Sequence, residues 1–383
     1  MPHFTNGQTV TFHGTKTFVC LDIWLNIACY LEPEDLARLG KVSLNMRALR
    51  NHALLYRYSI AKLLRNFMPP RLYLPFREAQ QRSRAVISGS AVLEYLAEAD
   101  FGIPDLDIYV PQARSKMLLE FMTDNFEIVP TVPKRKVALF SPNNLVPPYI
   151  EAQNQSEFLI HNDSGYSDTS IAAVHNFHYK GRILQVISCL TSPMDTILRF
   201  HSTVVMNVVT ATHAYCLYPR PTLTHMRGLI NGDRTPENDL CLDKYKGRGY
   251  SFISSVPNSS LRSCALSPLS TKRRFVGDVH SFAIPLRRSE TLPVKDTIMV
   301  NSWELWYKRY CWQAETSYSV FSAPRLSSPM VACNSKVFSA IRRAFTSHRN
   351  VVDDDFEEMD GVVTDVVKDK FPSSFAFIEE IDE

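Results

Sequence analysis

Residues 86–111, VISGSAVLEYLAEADFGIPDLDIYVP, constrain the fold more than any other stretch of the chain. A short apolar run ends at Gly89-Ser90, and the residues that follow have the apolar content of a helix. A second run, DLDIYV, alternates in the manner of a strand, so Asp105 and Asp107 share one face of it. The stretch therefore predicts a strand, a turn, a helix and a second strand that carries two carboxylates.

Later stretches predict more helices and strands. Residues 115–126 have the pattern of an amphipathic helix. HNFHYKGRILQVIS predicts two strands joined at Lys180-Gly181, which is a hairpin pattern. PMDTILRFHSTVVMNVV predicts one long helix with Asp195 in its first turn. NSWELWYKRYCW, residues 301–312, predicts a helix whose aromatic residues pack in the core.

The order strand, Gly-Ser, helix and Asp-x-Asp strand resembles the nucleotidyltransferase fold of the polymerase-beta-like group. The resemblance implies that Gly89 and Ser90 hold the phosphates of a nucleotide and that Asp105 and Asp107 hold a divalent metal, if nucleotide binding is retained. A third carboxylate from a later strand completes the site in that family. The best match to its position is Gln185, an amide, and hard cations need anionic oxygen ligands. We therefore expect this domain to be inactive.

The N-terminal stretch VCLDIWLNIACYLEPEDLARLGKVSLNMRALRNHALLYR predicts three short helices with tight joints. Ile23, Ile27 and Leu31 share one helical face. Pro33 suits the first turn of the second helix, and Ser43 is a good N-cap for the third.

These helices resemble an F-box. The residues that match the family pattern are Asp22, Ile23, Ile27, Leu31, Pro33, Asp35, Leu36, Leu39, Val42, Ser43, Arg47 and Leu49. Val19-Cys20 stands where the family has Leu-Pro, and Met46 where an aromatic residue is common. The resemblance implies docking onto the Skp1 adaptor of a cullin-type ubiquitin ligase. The side chains implied in this contact are Ile23, Trp24, Ile27, Leu31, Pro33, Leu36, Leu39 and Val42. An ordinary three-helix cap folded onto the chain's own next domain is the alternative.

Composition limits the classes of function. The chain has 383 residues, of which 45% are hydrophobic, and this content can fill real cores. A net charge of +3 is too mild to indicate nucleic acid. No apolar run approaches the ~18 residues of a membrane helix, and no secretory leader is recognised, so we expect a soluble cytoplasmic or nuclear protein. The eight cysteines form no Cys-x-x-Cys pair, which favours reduced thiols over a zinc site.

The sequence divides into five segments. We expect a helical module at 17–66, a mixed domain at 80–230, a polar serine-rich excursion at 231–296, an aromatic-rich extension at 297–350 that packs on the main domain, and a disordered acidic tail at 351–383. The basic run at 272–274 is expected in a solvated loop.

The predicted class is α+β, an F-box-like three-helix module followed by a mixed α/β nucleotidyltransferase-like domain. The first functional hypothesis is an F-box-type adaptor that docks on a Skp1-like protein and presents an unknown protein substrate. Such an adaptor is not an enzyme, needs no cofactor, and contacts neither membrane nor nucleic acid. The alternative is a nucleotidyltransferase that uses Asp105 and Asp107 with Mg²⁺ and a nucleoside triphosphate. A third hypothesis is an interaction protein in which both modules are structural.

Overall fold

The computed structural model describes most of the chain. The described residues are 21–40, 42–129, 170–256, 262, 264, 267–286, 296–308, 313–323, 325–348 and 356–375. Helices and a mixed sheet combine in this part, in agreement with the predicted α+β class.

The helices are named in chain order. They are α1 Leu21–Cys29, α2 Pro33–Leu39, α3 Leu44–Arg57, α4 Ile60–Leu64, α5 Tyr73–Ser83, α6 Ser90–Ala97, α7 Ser115–Asn125, α8 Pro193–Leu198, α9 Pro236–Lys246, α10 Ser335–Ser347, α11 Phe356–Lys370 and α12 Pro372–Phe375. The strands are β1 Val86–Ser88, β2 Asp105–Pro111, β3 Glu127–Val129, β4 Ile171–Tyr179, β5 Arg182–Cys189, β6 Asn207–Val209, β7 His213–Cys216, β8 Arg227–Leu229, β9 Ser251–Ile253, β10 Arg274–Phe275, β11 Phe282–Pro285, β12 Ser302–Tyr307, β13 Ala314–Ser317, β14 Ser319–Phe321 and β15 Met330–Ala332.

Helices α2 and α3 begin where the sequence predicts. Pro33 is the first residue of α2, where its missing N–H costs no hydrogen bond. The Ser43 hydroxyl accepts a hydrogen bond from the Met46 amide at 3.2 Å and so caps α3. Trp24 fills the space between α1 and α3, and its indole N–H donates to the Leu49 carbonyl at 2.9 Å.

The described part contains an eight-stranded sheet in the order β11-β7-β6-β1-β2-β5-β4-β3. The pair β2 and β5 runs parallel, and the other neighbours run antiparallel. The parallel register sets Asp107 beside Gln185. The turn from β4 to β5 has left-handed backbone at Lys180 (φ 48°) and Gly181 (φ 78°), which confirms the predicted hairpin.

The sheet separates two hydrophobic cores. Leu106 and Ile108 of β2 face the core formed with the N-terminal helices, α5 and α7. Tyr109 faces the opposite core, which includes α8 and the C-terminal elements. Since side chains alternate along a strand, Asp105 and Asp107 lie on the Tyr109 face.

The prediction of one long helix after Pro193 is wrong. Helix α8 ends at Leu198, a short 3₁₀ turn follows at Thr203–Val205, and Asn207–Val209 form β6, which pairs with β1 and β7. The β-branched residues of this stretch favour extended backbone because their side chains are stiff at χ1.

The helix predicted at 301–312 is also wrong. Residues 302–307 form β12, in which Trp303 is buried and Trp306 is exposed. The aromatic residues therefore follow the alternation of a strand. Residues 309–312 lie outside the described part.

Residues 231–296 are not an excursion from the main domain. Strand β11 pairs with β7 at the edge of the large sheet. Within the predicted solvated basic run, Arg274 is fully buried, because its guanidinium is paired with Asp278 at 2.6 Å. The local sequence shows the charge but not the buried partner.

The acidic tail is not disordered over 356–370. These residues form α11, and Met359, Val363 and Val367 are buried in the C-terminal core. The apolar residues recur at helical spacing between the acidic ones, and this stripe outweighs the charge density. Asp360 is buried too, and it accepts hydrogen bonds from the Ser327 amide and hydroxyl. Residues 351–355 and 376–383 lie outside the described part.

Among the described residues, no helix has both the length and the apolar character required to cross a bilayer. The cysteines of that same part of the chain, Cys29, Cys189, Cys216, Cys241, Cys264 and Cys333, are free thiols.

Candidate functional site

Two groups of residues carry the functional hypotheses. One is the outer surface of α1 to α3, and the other lies where the Gly89-Ser90 turn meets β2 and α9.

The outer surface of the N-terminal helices is rich in exposed apolar side chains. Ile23 and Ile27 lie on one face of α1, and Tyr30 directly follows this helix, while Val42 and Leu44 lie at the joint between α2 and α3. These five side chains, named here the apolar surface, are between 50% and 90% exposed. Such density of exposed apolar residues marks a contact site more often than an ordinary surface.

The residues predicted to bind a partner differ in their exposure. Ile23, Ile27 and Val42 are exposed. Trp24 and Leu36 are buried inside the module, and their direct contact with a partner stays a prediction. Leu31 and Leu39 are half-buried against the same core. The side chain of Pro33 is not among those that the structure describes. Val19 and Cys20, where the sequence departs from the family pattern, also lie outside the described residues.

Arg57 joins the module to the α/β domain. Its guanidinium donates to the Ala28 carbonyl at 2.9 Å and the Leu31 carbonyl at 2.6 Å, and so ties down the end of α1. It also donates to the Glu98 carboxylate, just after α6, at 2.9 Å. Burial lowers the pKa of Arg57, but the hydrogen bond that Arg57 donates to Glu98 and the nearby charges outweigh it, and the net pKa is raised. The guanidinium therefore stays charged.

The Gly89-Ser90 turn lies against Asp107. Gly89 has φ +80°, and a Cβ built there would lie 2.5 Å from Oδ2 of Asp107. Glycine is thus required twice, for its backbone conformation and for the close approach of the carboxylate. Ser90 is the first residue of α6, and its side chain is buried.

The two aspartates lie on one face of β2, as predicted. Oδ1 of Asp105 is buried without a hydrogen-bond partner among the described residues. Burial, then the adjacent Asp105 charge, raises the pKa of Asp107 to about 7, and Lys244 opposes the shift. A carboxyl group in this environment is readily protonated near neutral pH.

The third position of the carboxylate set holds Gln185, as the sequence predicts. Its amide donates to Oδ1 of Asn176 at 3.1 Å. The paired positions on β5 and β4 therefore both carry neutral side chains. Asp195 of α8 is another acidic residue that could in principle complete the set, but it accepts hydrogen bonds from Thr191 at 2.5 Å and Arg199 at 3.0 Å. Both of its oxygens are therefore already engaged.

This donor set does not fit a divalent metal. Mg²⁺ and Ca²⁺ select several oxygen ligands, with carboxylates to balance their charge. Asp105 and Asp107 supply two, the third position is neutral, and the Lys244 ammonium adds a positive charge nearby. Within the described ranges, no group of three or more His, Cys, Asp or Glu side chains could hold a metal ion.

Helix α9 and the turn that follows it bring two cations to Ser90, a feature that sequence reasoning missed. The Ser90 hydroxyl accepts from Nζ of Lys244 at 3.3 Å and from Nη1 of Arg248 at 3.4 Å. It lies 2.6 Å from the Tyr245 hydroxyl. The stretch KYKGRGYSF contains Lys244, Tyr245 and Arg248. Two cations four residues apart, flanking a tyrosine, were the available sequence signal.

His201 completes the surroundings of the site. Its ring lies 5.5 Å from the Tyr245 ring, and Nδ1 is buried without a partner among the described residues. Burial, then the Lys244 charge, lowers the pKa of His201 to about 4, so the ring is neutral at physiological pH. Ser202 follows it outside any helix, in a bridge with Ile230.

Comparisons of the chain with protein-family models, with curated proteins and with solved structures give no match.

Proposed function

We propose that this chain is an F-box-type adaptor. Its apolar surface docks on a Skp1-like protein, and its α/β domain presents a protein substrate to a cullin-type ubiquitin ligase. The chain itself then performs no chemistry, because the ubiquitin is transferred on other subunits.

The exposure of Ile23, Ile27 and Val42 carries this proposal. A three-helix cap that served only its own domain would turn such residues inward, as it does Trp24 and Leu36. Covering one large aliphatic side chain is worth about 1.5–3 kcal/mol. Three of them, with Tyr30 and Leu44 beside them, offer a partner a substantial contact.

The attachment of the N-terminal module to the α/β domain also supports the proposal. The Arg57 guanidinium binds the Ala28 carbonyl of α1 and also the Glu98 carboxylate of the α/β domain. A substrate bound to the α/β domain would thus stand in a fixed orientation relative to the docked partner.

The test is binding to purified Skp1 in isothermal titration calorimetry. We expect a complex with the wild-type chain, weakened more than about tenfold by Ile27→Asp or Val42→Asp, because each places a charge in an apolar contact. Leu240→Asp is the matched control, since Leu240 is an exposed leucine on α9, outside the apolar surface. Leu36→Asp is unsuitable because Leu36 is buried in the module core.

The docking proposal fails if the folded wild-type chain does not bind Skp1. It fails equally if Leu240→Asp weakens binding as much as Ile27→Asp, since the contact would then not involve the apolar surface.

The nucleotidyltransferase hypothesis remains a prediction from the resemblance. Gln185 and the engaged Asp195 leave Asp105 and Asp107 without a third carboxylate among the described residues. Transfer of a labelled nucleotide with Mg²⁺ or Mn²⁺, abolished by Asp107→Asn, would establish that activity. We expect none.

A further inference from the structure

Lys244, on α9, and Arg248, two residues after the end of that helix, lack carboxylate partners within the described ranges. Among the described residues, neither Lys244 nor Arg248 lies within ion-pair distance of an acidic side chain, and both reach the same serine hydroxyl. By contrast, Lys246 on the same helix pairs with Asp243 at 2.7 Å. Lys244 and Arg248 thus have charge available for a ligand.

Aromatic rings hold the two cations in position. The guanidinium carbon of Arg248 lies 5.0 Å from the centre of the Tyr245 ring and 5.2 Å from that of Phe101. The Lys244 ammonium lies 5.8 Å from the Tyr245 ring. Cations placed over ring faces lose less entropy when they bind an anion, because their side chains are already ordered.

The Ser90 hydroxyl links the cations to the start of α6. A serine oxygen has two lone pairs, and Lys244 and Arg248 use both. The hydroxyl proton is then available to the Tyr245 oxygen at 2.6 Å. Ser90 and Tyr245 are buried while Lys244 is exposed, so the site opens on the side of Lys244.

One oxygen of the aspartate pair also lacks a hydrogen-bond donor within the described residues. Oδ1 of Asp105 is a buried acceptor without a partner among the described residues. A ligand that carries hydroxyl or amine groups next to an anionic group could satisfy both sides at once.

We propose that Lys244 and Arg248, with Ser90 and the Asp105–Asp107 pair, bind a phosphorylated, hydroxyl-bearing small molecule without any divalent metal. Lys244 supplies the positive charge that a metal ion would otherwise supply. The phosphate contacts the Lys244 and Arg248 side chains, and the ligand hydroxyls donate to the aspartates. This site lies outside the apolar surface, so the inference is independent of the docking proposal.

The test is calorimetric titration of the full chain with ATP and with pyrophosphate in a buffer that contains EDTA. We expect ATP to bind under these conditions. Loss of each charge-assisted contact, in Lys244→Met and in Arg248→Met, should weaken binding about tenfold or more. Lys244→Arg should largely restore it. Lys246→Met is the matched control and should leave binding within about twofold, because its charge is already paired.

Comparison of the two probes tests the acidic side of the site. ATP should bind more tightly than pyrophosphate, since only ATP has ribose hydroxyls for Asp105. Asp105→Asn should reduce that preference. Far-UV circular dichroism checks that each variant remains folded.

Three results would overturn the inference. The first is no ATP binding by the folded wild-type chain. The second is binding that requires Mg²⁺, which would mean that a metal and not Lys244 supplies the charge. The third is an equal loss in Lys246→Met and Lys244→Met, which would mean that ATP responds only to the general charge of α9.

Discussion

Asp107 occupies an unfavourable place for a carboxylate. It lies on a central strand beside a second aspartate, and the Gly89 turn closes over it. The sequence predicts both aspartates, their shared face and the neutral Gln185, because strand alternation and residue identity are local properties. It does not reveal Lys244 or Arg248, because their contact with Ser90 joins residues more than 150 positions apart.

Replacement of Asp107 by asparagine should stabilise the protein at alkaline pH. Burial and the Asp105 charge raise the pKa of Asp107 to about 7 in the folded chain, against about 3.9 for an unfolded aspartate. The folded state therefore binds the proton more tightly, and the Asp107 contribution to stability falls as pH rises from about 4 through 7. Asparagine cannot ionise, so Asp107→Asn should raise the unfolding free energy at pH 8 by roughly 1–3 kcal/mol.

Urea unfolding at pH 5 and pH 8 measures this effect. Asp124→Asn on the exposed side of α7 is the control and should not change the pH dependence. If wild type and Asp107→Asn respond alike to pH, the Asp107 carboxylate is not strained in the folded chain.

At the scale of elements, the sequence predicted a helix or strand correctly where a single hydrophobic period, either helical or alternating, was clear in a short stretch. The helices α1 to α3, the hairpin of β4 and β5, and β2 all have clear periods and turn residues. It failed for β12, where a strand and a helix both place some aromatic residues inward, and for β6, where β-branched residues followed a true helix start. Pairing with distant strands decided both cases, and such pairing leaves no local trace.

The two tryptophans of β12 should differ sharply in their effect on stability. Trp303 is fully buried and its indole N–H donates to the Tyr218 hydroxyl at 2.7 Å, whereas Trp306 is 61% exposed. Trp303→Ala should cost about 3–5 kcal/mol of unfolding free energy, and Trp306→Ala less than about 1 kcal/mol.

Thermal or urea denaturation of the two variants is sufficient, because each serves as the control for the other. Similar losses in both would contradict the strand and would restore the predicted helix, in which both aromatic side chains pack inward.

At the scale of the whole molecule, the predicted segment boundaries describe the chain less well than its helices and strands. Residues from the supposed excursion, extension and tail enter the same sheet or core as the central domain. Composition marks these segments as polar or acidic, but a few apolar residues at the right spacing are enough to anchor each one. The N-terminal module is anchored too, through Arg57 and Glu98.

Glu98→Gln should loosen the N-terminal module without unfolding the central sheet. The change preserves shape but removes the charge that balances the largely buried Arg57 guanidinium, at a cost of about 1–2 kcal/mol. Amide hydrogen exchange should quicken in α1 to α3 and remain unchanged in β1 and β2.

Asp35→Asn is the control for this measurement. Its ion pair with Arg38 is exposed, so exchange in the module should stay at the wild-type rate. A uniform increase over the whole chain in Glu98→Gln would show instead that module and sheet unfold as one cooperative unit.

The tight fit between Gly89 and Asp107 has a consequence for the residues that position 89 can accept. Any side chain at position 89 would collide with the carboxylate, whatever the site does. The positive φ and the nearby carboxylate each disfavour every other residue, so the fold alone accounts for this glycine, and no ligand or reaction is needed to explain it.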